Sequence, residues 1–398
     1  MLLCGATLKL AVGQFSKRSQ SSKGPRALGV LELAANGKAR LVGVTIMLDG
    51  RFYDAGSYKA DPVPMALHSQ IVYEAVKAGV PQGLFTVEGA RPTDKGWLGE
   101  GKWRTTAELE AEKEKAKAAA EKKAQKAPPP EHEIGGPPRL KRGADTNPSP
   151  QPSAQSPPSA PSKTASANSQ QNPTSAPVED PNRPVLRRQA PLETTHEQTK
   201  AGGEPEPLQG ALQLIPAISD SDGPEPRPYS YQMKPEEEGA FLKKMLAMAN
   251  EEVRTRAELS GKTEEQKPKA LAKNARAKPA PEFRDIQLHV YDLSNANEPV
   301  LVLTANAKLQ SAPDVEYMLA LVARQDIYGD LHKVFAQTTD NQHLDVLPRY
   351  ELIDAVDADG DGHGELLFRL NAERGSAFGV YRVIGDKLWP LFEGKPGT

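Results

Sequence analysis

The 398-residue chain has a single cysteine, Cys4. No disulfide can form within it, and a cysteine-based zinc site is excluded. Aromatic residues make up 6% and hydrophobic residues 38%, against 36 prolines, so only about half of the chain is expected to bury a core. No run of eighteen or more apolar residues occurs, which argues against a membrane-spanning helix. The net charge of −2 does not suit nucleic acid as a general partner. Nucleophile-elbow, zinc-protease, phosphate-loop and dinucleotide motifs are all missing. None of the seven histidines, His68, His132, His196, His289, His332, His343 and His363, stands at metal-ligand spacing from another. The expectation is therefore a non-catalytic protein. Carboxylate pairs such as Asp354 and Asp357 need no local motif, which keeps a hydrolase as the alternative.

Residues 1–13 are mostly apolar, with small residues at Ala11 and Gly13. They read as the remnant of a secretory signal peptide, which places the protein outside the cytoplasm, periplasmic or secreted. A cytosolic interaction protein is the competing expectation.

What is present is mainly β pattern. Residues 27–104 carry about six short apolar segments. Asn36-Gly37 and Asp49-Gly50 supply hairpin turns that accept positive φ. A small antiparallel barrel or sandwich is expected, with Trp97 and Trp103 capping its core. The alternation slips between Val30 and Leu31, which a bulge would absorb. Residues 105–127 read as a charged, solvated helix opened by a Thr105–Glu108 capping box. From 128 to 232 periodicity ceases, and 22 prolines fall between 128 and 230. This is expected to be a disordered spacer that lets the flanking domains sit far apart, roughly 50–60 Å by flexible-chain scaling. Residues 233–262 form an amphipathic helix with a stripe of Leu242, Leu246, Ala249 and Val253, flanked by Phe241, Met245 and Met248. A basic linker, 263–281, follows.

Residues 282–395 read as two successive four-stranded, blade-like meanders. Val290 to Leu301 aligns without gaps on Ala355 to Leu366, and both copies continue to an Asn-Ala pair, at Asn306-Ala307 and Asn371-Ala372. The second copy contains Asp357-x-Asp359-x-Asp361-Gly362-x-x-Glu365. Alternating carboxylates around a glycine turn converge on one point, and a hard cation such as Ca²⁺ requires six to eight oxygens. The carbonyl of His363 would supply a further one. An EF-hand would need an acid where Phe368 stands, and helices in place of the strands.

This loop resembles the calcium loop of FG-GAP/VCBS repeats, the integrin-type β-propeller repeats, with Glu365 in place of their usual Asp. The resemblance implies one structural Ca²⁺ held by Asp357, Asp359, Asp361, His363 and Glu365. In the first copy Ser294, Ala296 and Val300 replace the acids, so only Asp292 remains. Two blades do not close a propeller. The exposed edges are expected to be met by sheet-on-sheet packing, by the 235–259 helix, or by a second copy of the chain. The partner class expected is a protein or a cell-envelope polymer.

Overall fold

The computed structural model describes residues 24–94, 96–126, 208, 210–220, 223–260 and 280–395. The signal-peptide remnant lies outside them, as do most of the spacer and nearly all of the basic linker. Contacts divide the chain into Met1–Ala111 with Arg183–Thr398, and Glu112–Asn182. In the latter, the described part is the end of the first helix.

The N-terminal region is a closed antiparallel barrel. Its strands are β1 (Arg26–Ala34), β2 (Ala39–Leu48), β3 (Arg51–Asp54), β4 (Val72–Lys77), β5 (Val80–Thr93), β6 (Gly96–Thr105) and β7 (Leu212–Ser219). Hydrogen bonding runs β1-β7-β4-β5-β6-β2 and closes again from β2 to β1, with β3 appended to β2. Asp49 and Gly50, both at positive φ, form the two-residue turn between β2 and β3. Trp97 and Trp103 pack against a core of Leu31, Leu41, Ile46, Tyr73, Phe85 and Ile215.

Two expectations are corrected here. The range 128–232 is not spacer throughout, because β7 comes from it and closes the barrel, pairing with β1 along eight residues. Pro216 hid this strand. Its pairing with β4 is confined to Ala217 and Ile218, so at Pro216 only β1 is beside it and the missing N–H is tolerated. Nor does the alternation in β1 slip at Val30. Ala27 and Leu31 face the barrel core, while Leu28 and Val30 face outward into a second cluster. Both faces are buried, so apolar residues occupy both parities. The actual bulge is at Leu28/Gly29, where β2 carries Val44 as the extra residue and directs it into that outer cluster.

Helix α1 (Thr106–Lys126) opens on the expected capping box. Thr105 N–H donates to Glu108 Oε2 at 2.9 Å, and Glu108 N–H to Thr105 Oγ1 at 3.3 Å.

The two meanders form as read. The first sheet comprises β8 (Glu282–Tyr291), β9 (Val300–Leu309), β10 (Ala312–Gln325) and β11 (Leu331–Asp340). The second comprises β12 (Arg349–Val356), β13 (Glu365–Ala372), β14 (Gly375–Ile384) and β15 (Lys387–Glu393). They stack face to face through Val302, Ala320 and Val322 against Leu366, Phe368 and Tyr381. Helix α2 (Pro235–Ser260) covers the other face of the first sheet, not its edge. Phe241, Met245 and Ala249 sit on Leu301, Leu303 and Leu321, so its apolar stripe is buried within the chain.

The outer face of the second sheet packs on the barrel. Val356, Leu367 and Val380 meet Leu28, Val30, Val44 and Val76. The barrel and the meanders are therefore joined layers, helix–sheet–sheet–barrel, and not domains held apart by a tether.

Because β7 is held by β1 and β4, a single backbone cut placed between 127 and 207 should leave both fragments together. A protease site engineered there should give two bands under denaturing conditions and one peak in native size-exclusion chromatography. The Ile215→Asp variant, which puts a charge among buried apolar side chains, should weaken that association.

Candidate metal loop

The loop between β12 and β13 is shaped by its own carboxylates. Asp357 Oδ1 accepts from Gly360 N–H at 2.6 Å, and its Oδ2 from Gly362 N–H at 3.0 Å. Asp359 Oδ1 accepts from Asp361 N–H at 3.2 Å, and Asp361 Oδ1 from His363 N–H at 2.8 Å. Gly360 and Gly362 have φ of 75° and 85°, a conformation that costs a glycine nothing. Carboxylate oxygens of Asp357, Asp359 and Asp361 lie within 4.8 Å of one another. Calcium–oxygen bonds of about 2.3–2.6 Å place ligands on opposite sides of one ion at most about 5 Å apart, so three of the expected ligands fit a hard cation.

Glu365 stands apart from that trio. It is fully buried, with Oε2 accepting from Ala358 N–H at 2.7 Å and Oε1 facing Arg382. Burial pushes its carboxyl up to about 8, against the pull of Arg382. Asp357 is also held above the usual carboxylate range by burial, with Arg26 opposing. The ring of His363 is exposed.

Three arginines that sequence reading did not single out surround the loop. The Arg382 guanidinium contacts Glu365, Asp359 Oδ2 at 2.9 Å and Asp361 Oδ2 at 3.1 Å. Arg26, at the start of β1, pairs with Asp220 just after β7 and donates to the Asp357 carbonyl at 2.7 Å. Arg227 donates to the carbonyls of Gly362 at 2.9 Å and Leu293 at 2.6 Å, and stacks on Tyr229. Arg382 was within reach of the sequence. Leu370 pairs with Ala377 and Leu366 with Tyr381, so counting outward from the hairpin turn places residue 365 opposite 382. Arg26 and Arg227 carry no such local signal.

The turn Ala78-Gly79 between β4 and β5 meets β12 of the second sheet. Ala78 N–H donates to Asp354 Oδ2 at 2.6 Å, and Tyr229 N–H to the Ala78 carbonyl at 2.8 Å. Tyr291 Oη–H donates to the other Asp354 oxygen at 3.1 Å. Asp354 thus accepts from the barrel turn through one oxygen and from the first sheet through the other.

The first copy keeps the loop's backbone with Asp292 alone of the aligned acids. Asn295 and Asn297, aligned with Gly360 and Gly362, have φ of 59° and 58°. Asn297 N–H donates to Asp292 Oδ2 at 3.1 Å, as Gly362 does to Asp357. Val300, aligned with Glu365, pairs across the strands with Arg324, so an arginine occupies the matching position in both copies. With Ser294, Ala296 and Val300 where Arg382 meets acids, Arg324 turns to Asp386, 2.7 Å away. The Gly364 N–H donates to the Leu293 carbonyl at 2.8 Å, so the two loops touch.

No family model, curated protein or solved structure matches the chain.

These two arginine environments should be separable by stability. Arg26→Met leaves the Asp220 and Asp357 carboxylates buried without their cation and should cost about 3–5 kcal/mol. Arg324→Met removes a pair whose Asp386 is half-exposed and should cost at most about 1 kcal/mol. Urea denaturation of the full chain, followed by circular dichroism, measures both.

Proposed function

We propose that this chain is a non-catalytic, exported binding or scaffolding protein of the cell envelope, with Asp357, Asp359 and Asp361 holding one structural Ca²⁺. The observation carrying the metal reading is the convergence of those three carboxylates within 4.8 Å on a loop whose glycines permit the turn. The similarity of the loop to FG-GAP/VCBS repeats points the same way. The ion would supply fixed positive charge between β12 and β13. The chain's own residues would do the rest: Gly360 and Gly362 shape the turn, and Glu365 braces Ala358 from below.

Export rests on the apolar N-terminal residues. The binding role rests on the architecture, in which joined β layers carry connecting loops on a rigid frame. No helix among the described residues is long and apolar enough to cross a membrane. A protein or envelope polymer is the partner class proposed.

Thermal melts of the full chain in calcium and in chelator test the metal reading. Calcium should raise the melting temperature, and the Asp359→Ala, Asp361→Ala double variant should lose that rise. Equal melting temperatures for the parent chain in calcium and chelator, together with no heat in a calcium titration, would overturn it. Glu365→Gln keeps the hydrogen bond to Ala358 N–H and should leave calcium affinity within a few-fold of the parent, because Glu365 braces the loop without joining the trio.

A further inference from the structure

We infer that Arg382 is the resident cation of this loop, and that calcium enters only by exchange with its guanidinium; the inference rests on the calcium reading above. In Asp359 and Asp361 the Oδ1 atoms serve N–H groups of the loop itself, from Asp361 and His363. The Oδ2 atoms of both residues are held by Arg382. Its planar fork spans Asp359, Asp361 and Glu365 together, which one point charge on a lysine would not do. A metal ion coordinated by the same oxygens would stand within a few ångströms of the guanidinium, with two like charges sharing one set of acceptors. Calcium therefore has to displace Arg382 from Asp359 and Asp361.

The loop has charge enough to favour that exchange. Among the described residues, Asp357, Asp359, Asp361 and Asp220 pair with Arg26 and Arg382, and Arg227 lies on the loop's carbonyls. Carboxylates outnumber guanidiniums, so the divalent ion answers a deficit that the arginines leave. Arg382 also has somewhere to go. Its side chain is 21% exposed, and its cross-strand neighbour Trp389 is half-exposed at the sheet edge. The first copy shows the released position: Arg324, at the same place in its meander, points to an exposed aspartate on a neighbouring turn.

Two states of the loop follow. Without metal, Arg382 staples β14 to the loop. With metal, the ion staples the loop and Arg382 is freed towards solvent. The parent chain is stapled either way, so calcium should change its stability less than it changes that of a chain without the arginine.

The experiment is a calcium chloride titration of the full chain by calorimetry, with melting temperatures in calcium and in chelator, for the parent, Arg382→Gln and Arg382→Lys. Arg382→Gln should bind calcium at least about tenfold more tightly than the parent, since a competing charge a few ångströms from the ion is gone. It should melt below the parent in chelator and regain most of that loss in calcium. Arg382→Lys keeps the charge but not the fork, so it should stay folded in chelator and bind with intermediate affinity. Measurable binding by the parent with no tightening in either variant would overturn the exchange while leaving the calcium reading intact. Binding by none of the three would overturn both.

Discussion

The central strands of the second meander have nowhere to leave a polar face. In β13, Leu366 and Phe368 are buried against the first sheet, while Leu367 is buried against the barrel. A sheet of this kind is stable only between two apolar layers, and each layer brings its own demand. The first sheet is itself apolar on both sides, and α2 covers it. The barrel presents Leu28 and Val30 of β1 on its outside, and it must be closed to present them. Closure needs β7, and β7 comes from beyond a long proline-rich stretch. The four-layer order follows from this sequence of burials, each worth about 1.5–3 kcal/mol per fully buried large side chain.

That stacking decides what surrounds the acidic loop. A β12–β13 connection on a free sheet would be a solvated turn. Here the barrel packs beside it, and Asp357 and Glu365 are buried. Taking carboxylates out of water is costly unless cations accompany them. Arg26 arrives from the barrel, Arg227 from the segment between β7 and α2, and Arg382 from the adjacent strand. The turn glycine Gly79 belongs to the same arrangement. A Cβ there would lie 1.7 Å from the Arg227 carbonyl oxygen, so only glycine lets the barrel turn meet this segment.

The two meanders share backbone features that do not depend on the charge cluster. The first copy keeps positive φ at Asn295 and Asn297, keeps the Asp292 turn bond and keeps an arginine at the matching strand position. These features hold backbone shape, which the hairpin needs with or without charge. Ser294, Ala296 and Val300 have replaced the acids, and Val300 is buried in the apolar layer between the sheets. The two copies share a turn geometry and differ in side-chain chemistry.

Most of what was legible in the sequence is local. The Asp49-Gly50 turn, the Thr105–Glu108 capping box, the extent of α2 and the eight strands of the meanders each depend on residues a few positions apart. Backbone preferences and hydrophobic period act over that range. The acidic trio was legible for the same reason, since alternate loop residues fall on one side of a glycine turn. What only the tertiary structure decided involves distant residues: β7 beside β1, the two-faced burial of β1, and the Arg26 bond to the Asp357 carbonyl, 331 positions away. Pro216 and the surrounding composition masked β7, because a strand bonded on one side at its proline reads locally as a loop. An arginine's partner has no periodicity to announce it. It is set by which surfaces the apolar layers bring together, and that is a property of the folded chain.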